Sequence, residues 1–270
     1  MKPVHQLPGA QVTTVFTDID DTLTTAGKLG APAYAALEAL QRAGLRVIPV
    51  TGRPAGWCDQ IARLWPVDAV IGENGAFYMW HDHACGQLRT RHILDARARA
   101  DNAAHMERVR ERIVREVPGC APASDQFCRQ YDLAIDFRED VVPLPRADVD
   151  RIARIMEEAG MTARISSIHV NGWFGNYDKL SMTRLLMAER YGTDLQAAAQ
   201  QGQCVFAGDS PNDAPMFGYF PLSVGVANVL EFRDRLAHMP RYITREAGGA
   251  GFAELANHLL LSAHSPPVFS

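Results

Sequence analysis

The chain has 270 residues, 47% of them apolar and 21% charged, the balance of an ordinary globular protein with ample material for a core. Its formal charge of −4 argues against nonspecific binding to nucleic acid or acidic membrane, yet leaves room for an anionic small substrate in a locally basic cleft. No run reaches the roughly 20 apolar residues of a membrane span.

The opening MKPVHQLPGAQVTT lacks the apolar stretch of a secretory signal, and the 5 cysteines are scattered without a CxxC pair. A cytoplasmic protein without a disulfide framework is expected, as monomer or homodimer. In chain order, VTTVFTD reads as a strand and APAYAALEALQRAG as a helix stopped by Gly44. LRVIPVTGR is the next strand, followed by a helix from about Pro54 to Leu64 and the short strand DAVIG. Apolar β-branched strands alternating with helices predict a parallel sheet covered on both faces.

The rhythm then breaks. Residues 95–117 form a long charged amphipathic helix, followed by the strand YDLAIDF, the helix RADVDRIARIMEEAG and the strand TARISSIHVNGW. Helix followed by strands points to an α+β unit with an antiparallel sheet, inserted at about 83–177. From 178 the α/β pattern resumes with the helix DKLSMTRLLMAERYG, the strand CVFAGD, a turn and helix, SVGVANV, RYITRE and the helix GFAELANHLLL. The fold class is therefore α/β, with residues 1–82 and 178–270 as a Rossmann-like core. The tail HSPPVFS is expected to fray.

In an open parallel sheet ligands bind at the carboxyl ends of the strands. Four polar clusters fall there: Asp18, Asp20, Asp21 and Thr22; Thr51-Gly52-Arg53; Lys179; and Gly208-Asp209-Ser210-Pro211-Asn212-Asp213. Three carboxylates within four positions repel one another, and a bound dication would make the crowding tolerable. WHDHAC at 80–85 tempts a zinc reading, but no second ligand group follows at structural-zinc spacing. It reads better as the junction into the insertion.

The DIDDT, VTGR, Lys179 and GDSPND segments resemble, in order, the four motifs of the haloacid dehalogenase superfamily of phosphohydrolases. IGENGAF and the position of the insertion resemble its subclass IIB with an α/β cap. GDSPNDAPM is most similar to the sugar-phosphate phosphatases, such as those for sucrose phosphate and mannosyl-3-phosphoglycerate. The resemblance implies a Mg²⁺-dependent phosphatase of a small phosphorylated metabolite, acting through an aspartyl-phosphate. A phosphosugar mutase and a catalytically silent metabolite-binding protein remain as alternatives.

The resemblance further implies Asp18 as nucleophile and Asp20 as general acid and base, with Thr51 and Lys179 completing the catalytic set. Asp18, Asp20 through its carbonyl, Asp209 and Asp213 would hold Mg²⁺. Thr22, Arg53 and Asn212 are candidate substrate contacts, although Arg53 serves equally well in a structural salt bridge. Ser167, His169, Asn171, Trp173 and Phe174, near the return to the core, are candidate sugar contacts, His169 and Asn171 foremost. Cap closure would select the leaving group and exclude water.

Overall fold

Adjacent residues on the core strands face opposite ways, and both directions are apolar. Val15, Val47, Val205 and Val224 join one hydrophobic cluster, while Phe16, Ile48 and Phe206 join another on the opposite face. Such strands are stable only between two helical layers. The computed structural model, which describes residues 1–166 and 168–263, supplies both. Helices Ala31–Arg42, Ala55–Leu64 and Gly248–Ala263 cover the first face. Helices Lys179–Tyr191, Leu195–Gln200 and Ala214–Tyr219 cover the second.

The sheet runs Lys2–Pro3, Tyr242–Ile243, Leu222–Gly225, Cys204–Gly208, Thr14–Thr17, Arg46–Pro49, and every neighbouring pair is parallel. A parallel bridge from Val50 to Ile71 extends it to Val70–Gly72. Register sets Thr17 beside Ala207 and Pro49, so the first, second and fourth motif segments all leave the sheet at its carboxyl edge. This is the α/β, Rossmann-like arrangement expected from the strand pattern.

Several elements depart from the sequence reading. Phe77–Asp82 and Gln87–His92 form an antiparallel hairpin that the reading did not contain, with WHDHAC at its tip. Phe77 and Met79 anchor it in the core. RYITRE shortens to Tyr242–Ile243, and SVGVANV ends at Gly225 before a 3-10 helix, Ala227–Arg235. Pro54 is the N-cap of its helix rather than its first residue. The tail residues 264–270 lie outside the described residues.

A separate antiparallel sheet runs Thr162–Ile165, His169–Trp173, Asp132–Asp136, Ala121–Pro122. Helices Ala96–Glu116 and Arg146–Glu158 pack Met106, Val109, Ile113, Ile152 and Ile155 onto Leu133, Ile135 and Val170 of one face. The alternate residues Asp132, Asp136, His169, Asn171 and Trp173 therefore point the other way, and they too are buried. A strand face carrying buried charge must find polar partners, and the inserted unit supplies them: Arg129 and Asn171 for Asp132, and the amides of residues 138–140 for Asp136.

Candidate active site

The turn after Thr14–Thr17 is wound around one carbonyl: Ile19 O accepts the amides of Thr22, Leu23 and Thr24 at 3.2, 2.9 and 2.9 Å. Asp21 takes a positive φ of 54° within it. The turn leaves Asp18 buried at the sheet edge, its own amide donating to Ala207 O at 2.9 Å. Lys179 Nζ lies 3.0 Å from Asp18 Oδ1 and 2.8 Å from Asp213 Oδ1, and all three side chains are at most 5% exposed.

Two local devices bring these groups together. Gly208 allows Asp213 to fold back, since a Cβ there would meet Asp213 Oδ2 at 2.5 Å. Asp213 Oδ2 then accepts the amides of Asp209 and Ser210 at 3.1 and 3.3 Å. On the other side, Glu73, Asn74 and Gly75 carry consecutive φ values of 42, 55 and 105°. A Cβ on Gly75 would sit 2.1 Å from Asp178 O, so only glycine lets this turn press against the start of the Lys179 helix. Asp178 caps that helix with Ser181 in a capping box, which fixes Lys179 at its first position.

Carboxylate oxygens of Asp18, Asp209 and Asp213 lie within 4.8 Å of one another, the one such group among the described residues. Burial pushes the Asp18 carboxyl up to about 8, with Lys179 opposing and Asp213 and Asp20 adding. Burial, then Asp213, Asp18 and Asp21, drive Asp209 well above the usual carboxylate range. Burial also works against the Lys179 ammonium, but Asp18 and Asp213 more than offset it and raise its pKa. Three buried carboxylates against one ammonium are an oxygen-only donor set with excess negative charge, which suits a hard divalent cation such as Mg²⁺.

Thr22 Oγ1 donates to Asp209 Oδ1 at 3.4 Å, placing it beside that cluster rather than in the open chamber. Asn228, which the sequence reading passed over, donates from Nδ2 to Asp209 Oδ2 at 3.2 Å and to Asp21 O at 3.0 Å. Its Oδ1 accepts the amide of Gly248 at 3.0 Å, so one side chain ties the fourth-motif carboxylate to two other loops. Thr51 is buried and its hydroxyl oxygen accepts the Arg53 amide at 3.0 Å. Asn212 accepts the Ser210 hydroxyl at 2.7 Å.

Arg53 takes the salt-bridge option. Its guanidinium binds Asp20 through Nε at 2.9 and 3.0 Å, reaches Glu139 at 3.0 Å and Asp125 at 3.5 Å, and lies 4.3 Å over the Trp57 ring. Burial opposes its charge, yet Asp20 and Glu139 together raise its pKa. The partners come from both units, so Arg53 joins the inserted sheet's loops to the first motif. Glu139 in turn lies 2.9 Å from His169 Nε2. His169 at this distance, with Arg53 behind it, lowers the Glu139 carboxyl to about 2 against the effect of burial.

Asn171 donates to Asp132 Oδ2 at 2.9 Å, and Asp132 pairs with the buried Arg129 at 3.0 Å. Arg129 also donates to Gly52 O at 2.9 Å. Beneath it, Glu73 accepts the amide of Ala55 at 2.9 Å and those of Gln130, Tyr131 and Asp132 at 2.9, 2.6 and 3.2 Å. A small chamber results, walled by Asp18, Asp20, Arg53 and Asn212 from below and by Arg129, His169 and Asn171 from above. A cavity of about 290 Å³ bounded by Asp20, Arg53, Arg138 and Glu139 adjoins it.

Trp173 does not reach the chamber: it stacks on Tyr177 and donates to Tyr177 O at 3.2 Å. Phe174 meets His105 edge-on, and Ser167 lies outside the described residues. His81 and His83 sit on the exposed hairpin, away from the carboxylate cluster.

The haloacid dehalogenase-like hydrolase family profile matches residues 15–111, from the first-motif strand into the first inserted helix. Over those residues the chain resembles this family. It is 28% identical over 257 residues to a phosphoglycolate phosphatase of Pyrobaculum neutrophilum, covering 94% of this chain and 98% of that one. A phosphoglycolate phosphatase of Methanothrix thermoacetophila is 26% identical, over 91% and 96%. In fold, the chain resembles protein 0175 of Thermoplasma acidophilum (TM-score 0.69, 17% identity, covering 93% and 99%). It also resembles the sucrose-phosphatase of Synechocystis (TM-score 0.61, 17% identity, covering 92% and 98%). Among the described residues no helix is long and apolar enough to cross a membrane.

Proposed function

We propose that this hydrolase is a Mg²⁺-dependent phosphatase of a small phosphorylated metabolite, working through a phosphoryl-Asp18 intermediate beneath a cap formed by residues 83–177. The observation that carries the reading is the buried set of Asp18, Asp209 and Asp213 with Lys179 bridging two of them. Asp18, Asp209 and Asp213, with the Asp20 carbonyl, would hold Mg²⁺, which would supply neutralisation of the phosphoryl oxygens.

The chain's own groups divide the remaining work. Lys179 directs its ammonium at Asp18 and at the site of the incoming phosphoryl oxygens. Asp18 forms a bond to phosphorus as the ester P–O bond breaks, and Asp20 delivers a proton to the leaving oxygen. Asp20 then takes a proton from the water that attacks phosphorus, releasing inorganic phosphate and restoring Asp18. Arg53 fixes the position of Asp20 between these events, Asn212 is within the chamber wall that receives phosphoryl oxygens, and Thr51 stands next in the chain to Gly52 of that wall. His169 and Asn171 close the chamber from the cap side and exclude bulk water.

The cavity of about 290 Å³ beside Asp20 is large enough for a polyhydroxylated leaving group, and the sucrose-phosphatase likeness agrees with a sugar phosphate or glycosyl-phosphoglycerate. A second reading, hydrolysis of phosphoglycolate, is favoured by the names of both full-length relatives. Purified protein with Mg²⁺ should release inorganic phosphate from a panel of hexose phosphates, glycosyl-phosphoglycerates and 2-phosphoglycolate, and kcat/KM ranks the two readings. Return of an isomeric ester from a hexose 1-phosphate would instead identify a mutase, and silence across the panel would overturn the proposal.

A further inference from the structure

A cavity of about 380 Å³ lies across the seam between the inserted unit and the core. Phe137, Leu144, Val149 and Ile165 give it an apolar wall on the cap side, and Phe232 of the 3-10 helix Ala227–Arg235 faces them from the core. Three guanidiniums also line it, Arg138 and Arg146 from the cap and Arg235 from the core, and no Asp or Glu stands among its lining residues. The whole chain carries 31 acidic against 27 basic residues, so this is a local reversal of its charge.

The three cations are poorly neutralised. Among the described residues the side chains of Arg138 and Arg235 make no hydrogen bond or ion pair, and Arg235 rests against the Phe232 ring at 5.8 Å. Arg146 approaches Asp150 at 3.5 Å, but both side chains are largely in solvent, where such a pair contributes little. Burial, with Arg146 adding, lowers the pKa of Arg235, and Asp150 opposes the change. Like charges gathered on an apolar surface repel one another, and an anion between them would relieve that repulsion.

We propose that this cavity binds an organic anion: a carboxylate, sulfate or phosphate carried on an apolar body. Inorganic phosphate alone would leave the Phe137, Leu144 and Phe232 surface uncovered. A neutral apolar compound would fill the space and leave the guanidiniums without a partner. The volume is within the range of small-ligand pockets, roughly 300–1,000 Å³. Ser166 belongs both to this cavity and to the catalytic chamber, and Arg138 both to this cavity and to the one beside Asp20. The anion therefore comes either from the far end of a phosphate ester whose phosphoryl group lies at Asp18, or from a separate metabolite that bridges cap and core.

The test uses the full chain and 1-anilinonaphthalene-8-sulfonate, an aromatic body with one anionic group, with N-phenyl-1-naphthylamine as its uncharged counterpart. Saturable fluorescence enhancement is expected with the sulfonate and much weaker binding of the neutral probe. The double variant Arg146→Gln/Arg235→Gln should weaken sulfonate binding about tenfold or more, with neutral-probe binding changed less than about twofold, because charge-assisted contacts are lost while the apolar wall remains. Arg146→Lys/Arg235→Lys should recover part of the affinity, and raised salt should weaken the wild type. Equal sulfonate binding in wild type and Gln variant, or a neutral probe bound as tightly as the sulfonate, overturns the proposal.

Should the Gln variant lose its far-UV circular dichroism, the Lys variant, the neutral probe and the salt dependence decide the matter. None of these measurements requires turnover, so they stand or fall apart from the phosphatase reading. Inhibition of phosphate release by the sulfonate then separates the two sources: competition with the ester marks the substrate's far end, and noncompetitive inhibition marks a separate metabolite.

Discussion

Glu73→Ala removes the one acceptor shared by four backbone amides, at Ala55 on the core side and at Gln130, Tyr131 and Asp132 on the cap side. Three of these contacts are buried, and a buried amide deprived of its acceptor costs about 1–3 kcal/mol. Water entering the vacated space recovers part of that, leaving a local loss of about 3–5 kcal/mol. Because about 1.4 kcal/mol corresponds to a factor of ten, opening of this junction should become about two to three and a half decades more frequent. Hydrogen exchange followed by mass spectrometry reads this directly in peptides spanning residues 53–58 and 128–134. Glu73→Gln, which keeps one acceptor oxygen, should fall between wild type and Glu73→Ala. Exchange within about threefold of wild type in those peptides, with the rest of the map unchanged, would refute the assignment of Glu73 as the junction's clamp.

Asp18→Asn should lower turnover about a thousandfold or more while leaving the melting temperature close to wild type, because the amide cannot form the acyl-phosphate bond; near-normal phosphate release from the purified variant would contradict the nucleophile role. Asn228→Ala should raise the Mg²⁺ concentration for half-maximal activity about tenfold, since it removes an orienting hydrogen bond to Asp209, with kcat at saturating metal changed little. An unaltered metal titration would contradict that role. Glu139, lowered to about 2 against a reference of 4.5, contributes stability that is present above about pH 4.5 and lost as pH falls towards 2. The difference in unfolding free energy between wild type and Glu139→Gln from urea titrations, about 1 kcal/mol at pH 7 given its partial exposure, should shrink steadily over that window. A pH-independent difference would count against the Arg53–Glu139–His169 linkage.

The parts of the site legible in sequence are those whose residue types and strand-end position act locally. Asp18, Thr51 and Asp209 each follow an apolar β-branched run, and the parallel register that gathers them is dictated by those runs. Glu73 carries no local sign of its task, because nothing nearby shows that its partners are the amides of residues 130–132. Asn228 reaches Asp21 across 207 positions, a pairing no local pattern encodes. Arg53 was open to two roles because an arginine at a strand end pairs with whichever carboxylates the cap presents, and Asp125 and Glu139 lie far along the chain. The missed hairpin has a physical cause as well: QLRTRH is polar at nearly every position and offers no two-residue apolar alternation. Its pairing is decided instead by the apolar partner strand Phe77–Asp82.

The strands Asp132–Asp136 and His169–Trp173 place their odd and even positions on surfaces with unrelated duties. Leu133, Ile135 and Val170 keep the inserted unit folded, while His169 and Asn171 look into the chamber. Substitutions at alternate positions can thus alter which compound is accepted while the unit's own interior stays the same. Loss or gain of a single residue between Ile165 and His169 would do the reverse, turning valine towards the substrate and histidine into oil.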